Sequence, residues 1–295
     1  MATEVGVSTG SPYLQALLPP SPLALPNIVD HPHPGRIPRP RVELGGIFVD
    51  QIDLAAALDR IRLFLQSGHA HQVVTVNLDF LSISARNPDF RAILNTADLA
   101  VADGMPLVWL SHLRGHALPE RVAGVELVTG SCRIAAEQGR GVFLLGARPG
   151  VAEEAGRRLQ AMYPGLRIAG TYAPPIGPLR RRENDRIVRM IRDAGPDFLF
   201  VALGAPRQDA WIREHQHQLQ VPIAMGVGCV LDLLAGSVKR APVWMQRTGL
   251  EWAFRLAQEP TRLWRRYLVN DLPMLARLVW ARQRSEPSEA LKVIS

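Results

Sequence analysis

Short apolar runs alternate with amphipathic stretches through most of the chain. RVELGGIFVD, from residue 41, predicts a strand or hairpin, and DLAAALDRIRLFLQSG predicts a helix because its apolar residues recur every three or four positions. Buried strands are predicted for HQVVTVN, LAVAD, GVFLLG, LRIAGTY, DFLFVALG and VPIAMGVG, and helices for VAEEAGRRLQAMYPG and RENDRIVRMIRDAG. This alternation predicts an α/β, Rossmann-like fold, with a mostly parallel sheet covered by helices on both faces.

The pattern changes at both ends of this α/β segment. Residues 1–40 are rich in proline, which favours extended or disordered chain, so a disordered tail is expected there. The α/β core is expected to cover residues 41–236, because no strand-like run follows Gly236. Residues 237–295 are expected to form a helical appendage in which Pro260 and Pro273 each interrupt a helix.

The appendage carries more large apolar side chains than a solvated helix needs, with arginines between them. Its apolar side bears Trp244, Leu250, Trp252, Phe254, Leu256, Leu263, Trp264, Tyr267 and Leu268. Two interpretations stay open. This side packs against the α/β core or a second subunit, or it lies on a membrane surface, where tryptophan and arginine favour the headgroup region. The two interpretations are compatible if the apolar side is packed at one stage and lies on a membrane at another.

Composition narrows the class of protein. The chain has 295 residues, 47% of them apolar, which is enough for a substantial core, and its formal net charge is +7. Nearly all cations are arginines, and the excess lies after Arg240, which favours an anionic partner; nucleic acid is not expected. Cys132 and Cys229 are the only cysteines, so no disulfide framework is predicted. Without a signal-peptide pattern or an apolar run of about 18 residues, a cytoplasmic protein with peripheral membrane contact is expected.

Polar or glycine-rich turns follow four of the predicted strands, at residues 75–77, 103–104, 204–209 and 226–228. The carboxyl ends of parallel strands lie at one edge of a sheet, so these turns are expected to line one crevice that suits a nucleotide-linked substrate. Asp103, followed by Gly104, is the first candidate for a catalytic residue. The alternative is that this Asp-Gly pair only turns the chain or caps a helix that begins near Met105.

Other kinds of site find less support. Gly226 and Gly228 lack the third glycine of a dinucleotide fingerprint, and no Walker loop occurs, so neither a dehydrogenase nor an ATPase is predicted. His112 and His116 have the spacing of one helical face, but no glutamate accompanies them as in a zinc-binding HExxH motif, which favours a packing or surface role. No metal site and no cofactor are predicted.

The motifs at these turns, with those that follow, resemble the bacterial WecG/TagA/CpsF glycosyltransferases. They are TVN at 75–77, DG at 103–104, RVAG at 121–124, GAPRQD at 204–209, GVGCVLD at 226–232, RAP at 240–242 and GLEWAFRLAQEPTRLWRRY at 249–267. The resemblance covers about 42–270. It implies inverting transfer of a sugar from a UDP-sugar to a sugar on an undecaprenyl-diphosphate carrier, at the cytoplasmic face of the plasma membrane, in cell-surface or exopolysaccharide synthesis.

The resemblance also implies roles for individual residues. Asp103 matches the family's proposed catalytic base, which takes the proton of the attacking hydroxyl. Asp232 matches the position expected to contact uracil. Substrate binding is expected, at the strand ends and their turns, from Thr75, Asn77, Arg121, Gln208, Gly226, Gly228 and Asp232.

A further implication concerns the leaving diphosphate. Metal-dependent glycosyltransferases neutralise its charge with a cation held by an Asp-x-Asp pair, and no such pair occurs in this sequence. Cationic side chains are therefore expected to replace the metal. Arg255, Arg262 and Arg265 match the arginines of the family's C-terminal appendage, and guanidinium groups bind phosphate bidentately.

Three positions depart from the family pattern. Pro106 replaces the commoner glycine, Glu126 the usual aspartate and Asp209 the usual glutamate. These changes leave the donor open among UDP-linked N-acetylmannosamine, glucose and related sugars, and the acceptor sugar and the polysaccharide open as well. The alternative function is a non-catalytic scaffold that binds a sugar nucleotide or lipid. The apolar appendage also keeps a homo-oligomer open as an alternative.

Overall fold

The computed structural model describes residues 40–175 and 177–283. The predicted disordered tail, apart from Pro40, and the end of the appendage after residue 283 lie outside the described residues. The described chain begins with an antiparallel hairpin of β1 (Arg41–Leu44) and β2 (Ile47–Asp50). Gly45 and Gly46 form its turn with φ of +61° and +86°, a backbone conformation that favours glycine.

A six-stranded sheet forms the centre of the fold, and every neighbouring pair of its strands is parallel. The strand order is β4-β3-β8-β7-β5-β6. The strands are β3 (His71–Val76), β4 (Leu99–Ala102), β5 (Gly141–Gly146), β6 (Arg167–Tyr172), β7 (Phe198–Ala202) and β8 (Ile223–Gly226). The predicted α/β class and the predicted strands are therefore confirmed.

Helices cover both faces of this sheet. They are α1 (Leu54–Gln66), α2 (Leu78–Ser84), α3 (Pro88–Thr96), α4 (Met105–Leu113), α5 (Gly124–Glu137), α6 (Val151–Met162), α7 (Arg181–Ala194), α8 (Arg207–Leu219) and α9 (Val230–Leu234). Successive strand residues point to opposite faces. Val73 of β3 therefore belongs to the apolar cluster that includes residues of α1, α5 and α6, whereas Val74 belongs to the cluster of the hairpin, α2 and α3.

The hairpin attaches to the edge strand β4. The buried carboxylate of Asp50 accepts hydrogen bonds from Arg41 Nε at 2.8 Å and from the Ala100 N–H at 2.7 Å. Arg41 also donates to the Ala97 carbonyl, at 3.2 Å. These bonds hold β4, and with it the turn that begins at residue 103, in a fixed place.

The chain leaves β3 and β8 toward opposite faces of the sheet. Phe80 and Leu81 of α2, which follows β3, pack in the hairpin cluster, whereas Val230 and Leu231 of α9, which follows β8, pack in the cluster on the other face. A crevice opens between the carboxyl ends of two adjacent strands whose connections diverge in this way, and ligands of open α/β sheets bind there. The four predicted turns lie at this edge.

The appendage consists of short helices packed on the α/β core. They are α10 (Val243–Arg247), α11 (Glu251–Gln258), α12 (Pro260–Trp264), a π-helix (Arg265–Asp271) and α13 (Leu272–Gln283). Leu263, Tyr267 and Leu278 are buried, and Leu278 joins the hairpin cluster. The structure therefore has the appendage in contact with the core, one of the two open interpretations, while Trp244 and Trp280 remain 61% and 72% exposed.

The two appendage prolines behave differently. The helical path breaks at Glu259, directly before Pro260, as predicted. The prediction for Pro273 is wrong, because the chain passes from the π-helix straight into α13 and stays helical through Leu272. Pro273 lacks an N–H, and it lies in the first turn of α13, where a proline is tolerated. Within the described ranges, no helix is long and apolar enough to cross a membrane.

Candidate active site

Asp103 lies directly after β4, and its N–H donates to the Val76 carbonyl of β3 at 2.7 Å. Gly104, with φ of +137°, is the N-cap residue of α4, and no side chain caps that helix. The alternative in which Asp103 caps the helix is therefore wrong. Asp103 is partly exposed as a residue.

Gly124, at the start of α5, lies where the ends of three strands meet beside Asp103. Its N–H donates to the Asp103 carboxylate. A Cβ placed on Gly124 would lie 3.4 Å from Asp103 Oδ2, 3.5 Å from Val230 Cγ2 and 3.7 Å from Thr75 Cγ2. Asp103, Thr75 of β3 and the start of α9 after β8 are thus neighbours, as the sequence predicts.

The surroundings of Asp103 weaken its acidity. Burial raises the pKa of this carboxyl to about 6, against the lowering effects of the Arg121 guanidinium and the Gly124 N–H, while Glu251 and Glu126 raise it further. A carboxylate with a pKa near 6 is a stronger base than an ordinary aspartate and is still ionised at neutral pH. Asp103 therefore has the protonation state and the access that a general base needs.

Gln208 and Gly228 form the other side of the crevice. Gln208 is 2% exposed, and its Oε1 accepts the Gly228 N–H at 3.0 Å. A Cβ on Gly226 would lie 2.7 Å from Gln208 Nε2 and 2.5 Å from Asp209 Oδ1, so only glycine fits at this position. Gly228 has φ of +53°, which also favours glycine. Gln208, Gly226 and Gly228 are thus in one place, as predicted.

Asp209 is a feature that the sequence does not reveal. It is 0% exposed, and neither carboxylate oxygen has a hydrogen-bond partner of standard geometry in the described part of the chain. Burial raises its pKa to about 7, and the nearby Gln208 amide and its own N–H lower it in part. A carboxyl with this pKa is protonated below neutral pH and about half protonated at neutral pH.

A ring of four charged side chains joins the core to the appendage beside Asp103. Arg121 donates to Glu251 at 2.9 Å and to Glu126 at 3.3 Å, and Arg240 donates to Glu126 at 2.8 Å. Arg240 Nε lies 4.0 Å from Glu251 Oε1, which closes the ring. Of the four, only Arg121 is predicted as a site residue, because the two links that join the core to the appendage, Arg121–Glu251 and Arg240–Glu126, span 130 and 114 residues of sequence.

Asn77 and Asp232 lie at the edges of the crevice. Asn77 is the N-cap of α2, and its Oδ1 accepts the Phe80 N–H at 3.2 Å, which leaves its amide nitrogen for a ligand. Asp232 pairs with Arg148 at 3.3 Å. Arg148 lies in the turn after β5, which is not among the four predicted turns. Its glycine-bracketed turn, GARPG, is the signal that could have found it.

The three predicted appendage arginines are not equivalent. Arg255 on α11 is partly buried, its Nε has no hydrogen-bond partner in the described ranges, and Cys229 and Tyr267 are among its electrostatic neighbours. It therefore lies beside the turn that follows β8. Arg262 and Arg265 are exposed and contact Glu259 and the Trp264 ring, both on their own segment. The structure brings Arg255, but not these two, to the crevice.

A cleft of about 450 Å³ opens between the core and the appendage. Its lining includes Met105, Arg121, Glu126, Arg240, Val243 and Arg247. Among the described residues, no group of three or more His, Cys, Asp or Glu side chains is placed to hold a metal ion. His112 and His116 do not share a helical face, because α4 ends at Leu113, so the spacing that could have suggested a metal site does not apply.

Comparison with known proteins adds a family assignment for most of the chain. The family model described as "Glycosyl transferase WecG/TagA/CpsF family" matches residues 42–288. A protein of Bacillus spizizenii is 34% identical over 224 residues, which are 76% of this chain and 85% of that relative. Two proteins from Staphylococcus aureus strains are 31% identical over 227 and 217 residues, covering 76% and 73% of this chain and 87% and 84% of those relatives. All three are named N-acetylglucosaminyldiphosphoundecaprenol N-acetyl-beta-D-mannosaminyltransferase.

Proposed function

The chain belongs to the WecG/TagA/CpsF family of glycosyltransferases, and from this premise we propose that it transfers a sugar from a UDP-sugar to a sugar linked to a polyprenyl diphosphate, with inversion. The acceptor hydroxyl attacks the anomeric carbon of the donor. The bond from that carbon to the β-phosphate oxygen breaks, its electron pair leaves with UDP, and the hydroxyl proton passes to Asp103. The transferase names of the relatives support the acceptor class, and family membership supports the reaction type.

The environment of Asp103 carries this proposal. The residue is partly exposed, its carboxylate lies beside Thr75 and Gly124 at the crevice, and burial raises the pKa of that carboxyl to about 6. A general base works best when its pKa lies near, and somewhat below, the working pH. The Gly124 N–H orients the carboxylate and the Arg121 charge favours its ionised form, but neither removes its basicity, because burial outweighs their effects on the pKa.

The donor binds, in this proposal, at the turn after β8. Gly226 makes room for the Asp209 and Gln208 side chains beneath the turn, and Gly228 leaves space for the nucleotide. Gln208 fixes the turn through the Gly228 N–H, and Asp232 contacts the uracil. Asn77 offers its free amide nitrogen at the neighbouring strand end. As the bond to the leaving group breaks, negative charge builds on the diphosphate.

Arg255 is the proposed counter-charge for that diphosphate. Its partly buried guanidinium lies beside Cys229, and its Nε–H is not used within the described chain. Arg262 and Arg265 reach the diphosphate only after a local movement of the appendage, and membrane contact is the proposed cause. The exposed Trp244, Trp264 and Trp280 support a peripheral position on the inner face of the plasma membrane.

The first test is UDP release from a panel of UDP-sugars, beginning with UDP-N-acetylmannosamine because the relatives' names specify that sugar. A short-chain prenyl-diphosphate N-acetylglucosamine serves as acceptor, in detergent and with chelator present. Acceptor-dependent release with one donor is expected, with a β-linked product by NMR. UDP binding without release from any donor would instead favour the sugar-nucleotide-binding scaffold.

A further inference from the structure

The cleft between core and appendage adjoins Asp103 but is separate from the proposed donor turn. Arg121 and Glu126 line it, and both act electrostatically on Asp103. None of residues 226–228 belongs to its lining in the described structure. The proposed base therefore has the donor turn as one neighbour and this cleft as another, which is the arrangement a two-substrate transfer requires.

Glu251 pairs with two of the arginines at the cleft, Arg121 and Arg240. Those two arginines and Arg247 line it, against Glu120 and Glu126. Both glutamates already accept hydrogen bonds, Glu120 from the Leu54 N–H at 2.8 Å and Glu126 from two arginines. Arg247 on α10 is exposed, and within the described ranges no ion pair engages it. Its guanidinium is available for an anionic group, and a phosphate suits its fork of donors.

An exposed apolar strip begins at the mouth of this cleft. We define it as Trp109, Leu113, Val243, Trp244 and Leu250, which are between 39% and 61% exposed. Val243 lines the cleft itself. Trp109 and Leu113 lie four positions apart on α4, and the Trp109 ring packs against Gly249, next to Leu250. The strip thus joins a core helix to the first appendage helix.

We propose that the cleft and the apolar strip together bind the prenyl-diphosphate part of the acceptor. The diphosphate lies on Arg247 and Arg240, the acceptor sugar extends past Arg121 toward Asp103, and the first prenyl units lie along the strip. Helix α10 carries both Arg247 and two residues of the strip, Val243 and Trp244. A ligand with adjacent anionic and apolar parts therefore fits this surface better than a purely anionic or a purely apolar ligand. This inference rests on the proposed function, since it assigns the site of its acceptor.

The test separates acceptor binding from donor binding. Farnesyl-diphosphate N-acetylglucosamine is the acceptor, and the variants are Arg247→Glu and, as a matched control, Arg189→Glu on α7, an arginine that is also exposed and does not line the cleft. Arg247→Glu is expected to raise the acceptor KM at least tenfold while the donor KM and the affinity for UDP by calorimetry stay within twofold. Arg189→Glu is expected to leave all three unchanged, and matched thermal melts establish that both variants fold.

The apolar strip is tested through the length of the prenyl chain. The double variant Trp109→Ser/Trp244→Ser is compared with Phe48→Ser, which removes an aromatic side chain that is 44% exposed, like Trp109, and lies outside the strip on β2. For the native chain and Phe48→Ser, the acceptor KM is expected to fall as the prenyl group grows from geranyl to farnesyl. For the double variant this gain is expected to disappear, with the donor KM unchanged.

The possible failures are distinguishable. If the native chain transfers sugar but Arg247→Glu keeps the control's acceptor KM, the acceptor-site assignment is wrong and the proposed function stands. If no donor supports transfer, the proposed function fails, and quenching of tryptophan fluorescence by farnesyl diphosphate still tests the cleft, since Arg247→Glu must abolish it. If the double tryptophan variant changes only self-association or vesicle binding, the strip serves a second copy or a bilayer and its assignment is overturned.

Discussion

Two aspartates stand near the carboxyl ends of parallel strands, Asp103 after β4 and Asp209 in the first turn of the helix after β7. Each lies against a glycine. A Cβ on Gly124 would be 3.4 Å from Asp103 Oδ2, and a Cβ on Gly226 would be 2.5 Å from Asp209 Oδ1. Burial raises both pKa values, to about 6 and about 7. Asp103, however, is partly exposed and accepts the Gly124 N–H, whereas Asp209 is fully enclosed.

The difference between them shows that a raised pKa does not by itself identify a catalyst. Asp103 has access to solvent and an N–H donor that orients it, so its basicity can act on a substrate. Asp209 lacks access to solvent, and its carboxyl, which the Gln208 amide and its own N–H support only in part, fills the space beneath Gly226 and beside Gln208 in its protonated form. Its role is to support the turn that carries Gly228. Variants of the two aspartates and of their glycine neighbours test this division.

Replacing Asp103 by Asn removes the base while keeping its size. Transfer is expected to fall about 10²- to 10⁴-fold, the usual contribution of general-base catalysis, with UDP affinity and melting temperature retained. Asp209→Asn, the comparison variant, is expected to lose less than about tenfold. Initial rates of acceptor-dependent UDP release measure both. Near-native turnover in Asp103→Asn would exclude this residue as the base.

Asp209 is expected to make stability depend on pH. Its pKa in the folded state, about 7, is above its ordinary value of 3.8, so folding favours the protonated form. That stabilisation is complete at low pH and is lost as pH rises from about 4 to about 7. Asn cannot ionise, so the free energy of unfolding of Asp209→Asn lacks this dependence on pH. The difference between the variant's and the native chain's free energies of unfolding is expected to shift in the variant's favour by up to about 4 kcal/mol between pH 4 and pH 8.

Urea unfolding at several pH values measures this gain. Asp185→Asn, on the exposed side of α7, controls for the loss of a carboxylate elsewhere on the protein. A constant difference between Asp209→Asn and the native chain across the pH range would mean that Asp209 does not titrate on folding. The supporting role assigned to its protonated form would then be lost.

Substitutions of Gly226 and Gly124 compare the packing around Asp209 with the packing around Asp103. Gly226→Ala places a methyl group within 3 Å of the buried Asp209 and Gln208 side chains, which cannot move away, so a loss of about 1–3 kcal/mol is expected. In Gly124→Ala the nearest atoms are at least 3.4 Å away, so stability is expected to change by less than about 1 kcal/mol. Because the new methyl group lies beside Asp103, transfer is expected to fall all the same. Thermal melts and initial rates on the two variants measure these effects, and equal stabilities would contradict the packing around Gly226.

The sequence predicts local features of this protein better than distant pairings. Each apolar run is a strand because both faces of the sheet are buried, and Asp103 is recognisable because an Asp-Gly pair ends such a run. The link between Arg121 and Glu251 spans 130 residues and depends on how the appendage docks, which no local pattern encodes. Asp209 looks like an ordinary first-turn acid of a helix. Its burial depends on two neighbouring strands, because Gly226 of β8 lies against its carboxylate and Gln72 of β3 donates to its backbone carbonyl at 2.9 Å.

The pH profile of transfer is the finest test of the division between the two aspartates. Only the ionised form of Asp103 accepts a proton, and its pKa is about 6, so kcat/KM is expected to fall about tenfold per pH unit below pH 6 and to level off above it. If Asp209 controlled the rate through the turn that it supports, the break would lie near 7, and Asp209→Asn would remove it. We expect Asp209→Asn to keep the break near 6. Removing the Arg121 charge with Arg121→Met is expected to move the break upward, since this guanidinium lowers the pKa of Asp103.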